Sequence, residues 1–153
     1  MNPTSQQPPR LGVSTLFQAK SFLCWDVFPD QLAVQLIPMQ ANAGYYVPPG
    51  NPLHSIYIFY EPDAKNQSIP LFLLFHEAGH ITVNTNEQSP ARTLDVPNGP
   101  QRREFEKQAW NRGERLLTAF CRRQALATES VLAAFQQYAE TCLESYNGST
   151  GID

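Results

Sequence analysis

Two histidines and a glutamate interrupt the apolar run LLFHEAGHI, residues 73–81. Placed on a helix, His76 and His80 are four residues apart and share a face, their Cβ atoms roughly 5–6 Å from one another. Both imidazoles then reach a single ion at the usual zinc–nitrogen distance of roughly 2.0–2.1 Å. Glu77 sits one step round from His76, too far round to share the ion easily but close to a water beside it. This is the HExxH arrangement: two histidines ligate zinc and the carboxylate serves as general base. The competing reading is a buried helix whose histidines bond to backbone carbonyls. Against it, two histidines and a glutamate without partners would be expensive in so apolar a run.

A catalytic zinc takes three protein ligands and keeps a fourth position open. Extending the motif to a metzincin would require Gly at 83 and His at 86, where the chain has Val83 and Asn86. His54, the one other histidine outside the motif, precedes a strand-like run and reads as a surface or turn residue. The third ligand must then be a downstream carboxylate, and the stretch 101–123 offers Glu104, Glu106 and Glu114. Helical steps from Glu106 meet Ala109, Gly113, Leu117 and Phe120, a small-then-large apolar face suited to packing on the zinc helix. Steps from Glu104 meet Lys107, Gln108, Asn111 and Arg115, a solvated face, and Glu114 is lateral. Glu106 is therefore the expected ligand, a salt bridge to a nearby arginine being the alternative. Gly79 fits the same picture. Glycine inside a helix costs roughly 1 kcal/mol relative to alanine, so Ala78-Gly79 facing Ala109 and Gly113 suggests a close helix crossing.

The elements that must carry these residues follow from proline, since all 13 prolines lie at or before Pro100. The first part of the chain is punctuated by turns, and the second is free to form long helices. Residues 1–10 read as a disordered tail and 11–153 as a single domain. A helix is expected from about Ser14 to Trp25, then short strands at Leu32–Ile37, Gly44–Val47 and Ser55–Tyr60. Ser68 as cap and Pro70 in the first turn open the HExxH helix, which runs to about Val83. A polar connection, 84–100, leads to helices at about 101–123 and 129–146, the latter stopped at Asn147-Gly148. The expected fold is α+β: a small, mostly antiparallel sheet of about three strands packed on the HExxH helix, with two further C-terminal helices.

Composition narrows the function classes. Hydrophobic residues make up 42% of the chain and the net charge is −3, so no global field recruits nucleic acid or acidic lipid. Helix 101–123 holds seven of the eleven Lys and Arg residues against three Glu, a charge run that reads as a solvated face. Cys24, Cys121 and Cys142 are odd in number, widely spaced and without CxxC, which suits small buried hydrophobes in a reducing compartment. MNPTSQQPPR lacks the features of a signal peptide, and the apolar run Leu71–Phe75 is far short of a membrane span. A cytoplasmic protein is expected.

The run SIYIFY (55–60), a loop, LFLLFHEAGHI (71–81), and Glu106, Ala109 and Trp110 in EKQAWNRGERLL together resemble the ImmA/IrrE family of small metallopeptidases, within the gluzincin class. The likeness covers about 70 residues, from 55 to roughly 123. It implies a zincin-like fold, Zn2+ as cofactor, His76, His80 and Glu106 as its ligands, and Glu77 as catalytic carboxylate. It also implies limited proteolysis of a regulatory protein such as a transcriptional repressor or antitoxin. Family members often carry Asp or Asn directly after the alanine, where it can orient a ligand histidine; this chain has Trp110.

On this reading zinc lowers the pKa of its water towards ~7 and polarises the scissile carbonyl, while Glu77 takes the water's proton and passes it to the leaving amine. The 55–60 run is either an edge strand that receives the substrate backbone or an interior strand. Tyr45, Tyr46, Tyr57 and Tyr60 are candidate oxyanion donors, and 84–100 a candidate lid. The runner-up is a non-proteolytic zinc protein that sequesters a regulator.

Overall fold

The computed structural model describes residues 10–47, 53–86 and 100–146, with 82–86 described by backbone alone. The expected tail apart from Arg10, the turn at 48–52, most of the 84–100 connection and the Asn147-Gly148 stop lie outside those residues. The described chain is α+β, with a three-stranded sheet and four helices. In order these are α1 (Val13–Ser21), β1 (Leu32–Pro38), β2 (Ala43–Val47), β3 (His54–Tyr60), α2 (Ser68–Asn86), α3 (Pro100–Arg123) and α4 (Thr128–Glu144). α1 continues as one π-helical stretch, Phe22–Val27, that buries Phe22 and Leu23.

The sheet is mixed, not mostly antiparallel. Its order is β1-β3-β2, with β3 parallel to β1 and antiparallel to β2. Only four residues separate β1 from β2, and neighbours in sequence usually pair. Here β3 inserts between them, because it is the strand with apolar residues on both faces. Ile56 and Ile58 are fully buried and Ser55, Tyr57 and Phe59 half-buried. A strand covered in this way belongs in the interior. The open question about 55–60 is thereby answered: β3 is central, and β1 and β2 are the edges.

α2 is apolar around its whole circumference, and such helices are buried on all sides. Leu71, Phe72, Leu74, Phe75, Ala78 and Ile81 are enclosed by the sheet's inner face, α1, α3 and α4. Each fully buried side chain of this size contributes about 1.5–3 kcal/mol. Ser68 is the first helical residue rather than the cap. Its amide and hydroxyl both donate to Asn66 Oδ1, at 3.1 and 2.6 Å, and that oxygen also accepts from the Leu11 amide.

α2 and α3 cross almost in backbone contact. A Cβ added at Gly79 would lie 2.0 Å from the Ala109 carbonyl oxygen, and one at Gly113 would lie 2.4 Å from that of Phe75. The expected small-residue crossing is present, and only glycine fits at either position. α3 ends in a Schellman turn: Leu126 N–H donates to Cys121 O and Ala125 N–H to Arg122 O, with Ala125 at φ 54°. The three cysteines are unpaired; Cys121 is buried, which pushes its thiol up to about 11. No helix of the described residues is long and apolar enough to cross a membrane.

Candidate metal centre

The α2–α3 crossing brings Glu106 to the two histidines of α2. Glu106 Oε2 lies 2.9 Å from His76 Nε2 and 3.2 Å from His80 Nε2. All three side chains are buried, Glu106 at 4% exposure although it is a carboxylate on a basic helix. Among the described residues these three form the one group of His, Cys, Asp and Glu donors close enough to share a metal ion, their ligand atoms lying within 4.8 Å of one another. Bonds of about 2.0–2.1 Å at a tetrahedral angle place donor atoms roughly 3.3 Å apart. The two Glu–His separations are within a few tenths of an ångström of that, so the cluster could bind a metal ion.

The charges agree with the geometry. Burial opposes ionisation of Glu106 most strongly, yet hydrogen bonds from His76 and His80 and the charges of both rings hold its carboxyl well below the usual range. His80 is likewise depressed first by burial, but its bond to Glu106 and the fields of Glu77 and Glu106 raise it overall, against Arg102. The carboxylate is satisfied by the two rings, which are also the groups that could share a metal ion with it.

Glu77 is buried on the same helix, its Oε1 4.0 Å from His76 Nε2. It stands beside the ligand set rather than in it. Gly44 of β2 lies directly over it, where an added Cβ would approach Glu77 Cγ to 3.4 Å and Leu73 Cβ to 3.2 Å.

Neither histidine Nδ1 has a hydrogen-bond partner among the described residues. The rings are oriented by stacking instead. Trp110 lies flat on His76, centroids 4.0 Å apart and planes 20° apart. Tyr46 lies parallel to His80 at 6.0 Å, and Phe105 flanks the same ring at 5.4 Å. Trp110 is backed by Phe135 and Tyr138 of α4, so the C-terminal helix braces the indole that lies on His76.

Several expected residues fall elsewhere. His54 is not a surface residue: it is buried at the head of β3, stacked on Tyr46, with its Nδ1 2.8 Å from the Tyr46 hydroxyl. Burial lowers its pKa, and it stands outside the metal-competent group. Of the four tyrosines, Tyr46 alone packs on a histidine of the cluster. Tyr45 is exposed against Phe59, Tyr57 pairs with Tyr45 in the sheet register, and Tyr60 is buried against Phe17. Glu104 is exposed, as its solvated face requires, and Glu114 accepts from Gln136 of α4.

Two neighbours of the site escaped sequence reasoning. Arg102 places its Nε 3.5 Å from Glu106 Oε1, so the arginine salt bridge offered as the alternative is present, on the oxygen other than the one that meets the histidines. The i,i+4 spacing to Glu106 was a usable signal for it. Phe105 carried no such signal, since an aromatic on a helix flank is ordinary. Comparison with protein-family profiles, curated proteins and solved structures finds no match to this chain. Its chemistry must be argued from its own residues.

Proposed function

We propose that the chain is a zinc-dependent peptide hydrolase of zincin-like build, with the metal held by His76 Nε2, His80 Nε2 and Glu106 Oε2. The observation that carries this reading is the approach of one buried carboxylate oxygen to two imidazole nitrogens presented four residues apart on α2. Two neutral nitrogens and one carboxylate oxygen are a donor set that suits zinc. Zinc supplies Lewis acidity towards a peptide carbonyl and acidifies its own water. Glu77, adjacent to the ligands but outside them, would take the proton of an attacking water and return it to the leaving amine; such a group is worth about 10²–10⁴-fold in rate. Substrate enters as an added strand on the outer side of β2, an edge strand among the described residues, which runs over Glu77 and His80 through Gly44 and Tyr46. Regulatory proteins such as repressors or antitoxins, met in the cytoplasm, are the proposed substrates, in keeping with the resemblance to the ImmA/IrrE family.

Glu77→Gln tests the enzyme directly. The variant is expected to keep one zinc per chain and to lose cleavage of a partner protein, whereas His76→Ala and Glu106→Ala lose the metal. A second reading, a zinc-containing module that sequesters a regulator without cutting it, is favoured by the unpartnered Nδ1 atoms and by Trp110 in place of an acidic or amide group. An undiminished biological effect of Glu77→Gln would select it.

A further inference from the structure

Glu106 offers two oxygens, and the fold treats them differently. Oε2 faces both imidazoles at 2.9 and 3.2 Å, while Oε1 faces the guanidinium of Arg102, whose Nε is 3.5 Å away. We propose that Arg102 is a positioning residue that confines Glu106 to a single metal-binding oxygen and so keeps a coordination position free. This rests on the reading of His76, His80 and Glu106 as the ligand set.

Helix energetics do not account for the Arg102 arrangement. An arginine four residues before a glutamate is the poorer orientation for a helical ion pair, and even good pairs contribute little. The Arg102 side chain is 15% exposed, and bringing a guanidinium that far out of water costs more than a surface pair returns. A second anchor holds it in place: Tyr146, just beyond α4, is hydrogen-bonded to Arg102. The guanidinium is thus held between the ligand carboxylate and a phenol from the far end of the chain.

Carboxylates bind metals through one oxygen or two. With both oxygens on zinc, Glu106 and two histidines would fill four positions, and solvent could bind only by raising the coordination number to five. The permanent charge of Arg102, 3.5 Å from Oε1, favours keeping that oxygen off the metal by ion pairing rather than by a hydrogen bond. Lysine could supply the charge but not the planar group that also reaches Tyr146.

Titration with Co2+ alone tests the proposal, because ligand-field absorption is stronger for four-coordinate than for five-coordinate cobalt. Wild-type protein is expected to bind one Co2+ per chain with intense visible bands. Arg102→Gln is expected to bind Co2+ with weaker, five-coordinate bands and to lose on the order of ten- to hundred-fold in zinc affinity by competition. Arg102→Lys is expected to recover affinity only in part, and Tyr146→Phe, which keeps the guanidinium, to fall between Lys and wild type; these two decide the matter if Arg102→Gln does not fold. Bands of unchanged intensity in the Arg102 variants overturn the proposal, even where affinity falls. Failure of the wild type to bind Co2+, or binding that survives His76→Ala, overturns the ligand set itself and is thereby told apart.

Discussion

The indole of Trp110 lies against the imidazole of His76 with ring centroids 4.0 Å apart and planes within 20° of parallel. A flat contact of this kind fixes the ring plane of a histidine that has no hydrogen bond at Nδ1 among the described residues. Orientation here is achieved by packing, from α4 through Trp110 to His76.

Trp110→Ala is therefore expected to cost about 3–5 kcal/mol of stability, as for other buried aromatics, and to weaken zinc binding as well. Trp110→Phe restores most of both. Thermal unfolding of the metal-free protein, set beside a zinc competition assay, separates the two effects. A Trp110→Ala protein that melts earlier but binds zinc as before would reduce the stacking to ordinary packing.

Gly79→Ala would drive a methyl group to 2.0 Å from the Ala109 carbonyl oxygen. That oxygen belongs to backbone, so α2 and α3 must separate and carry Glu106 away from the histidines. The expected loss is at least the 1–3 kcal/mol of ordinary overpacking, or about 2–4 °C in Tm for each kcal/mol in a chain of this size, with weakened metal binding. Gly12→Ala, where nothing lies within 4 Å but the residue caps α1, is the control for metal binding and should leave it unchanged.

The metal-free protein should be most stable in mildly acidic solution. Glu106 has a depressed folded pKa, so its contribution is present above the ordinary carboxylate value of about 4.3 and is lost only as pH falls through its own lower value. His80 has a raised folded pKa; its contribution is complete below the ordinary imidazole value of about 6.5 and is lost as pH rises through the raised one. Metal reverses the upper limb, because it requires neutral imidazole. The Tm difference between zinc-loaded and zinc-free protein should widen between about pH 5.5 and 8. A constant difference across that range would contradict the coupling.

Ala125 occupies the left-handed position of the Schellman turn that closes α3. An L-residue there is strained by roughly 1–2 kcal/mol, and glycine returns part of the gain as lost chain entropy. Ala125→Gly should stabilise the protein by about 0.5–1 kcal/mol without altering metal content, read by denaturant unfolding.

The order of helices and strands and the ligand candidates could be read from the chain because each rests on a local period. Four-residue spacing puts His76 and His80 on one face whatever surrounds the helix, and the apolar steps from Glu106 to Phe120 mark the buried side of α3. The Gly79–Gly113 crossing was legible for the same reason, since glycine in a helix interior has few other uses. Strand order was not legible. The short β1–β2 connection favours a hairpin, and only the competition of all three strands for the centre gives that place to β3. His54 became a buried partner of Tyr46 for the same non-local reason. The approach of Glu106 to the two histidines, the bracing of His76 from α4 and the anchoring of Arg102 by Tyr146 beyond it depend on side chains tens of residues apart. Sequence by itself determined which residues share a face; the tertiary structure decided which faces meet, because that choice is made by comparing burial across the whole chain at once.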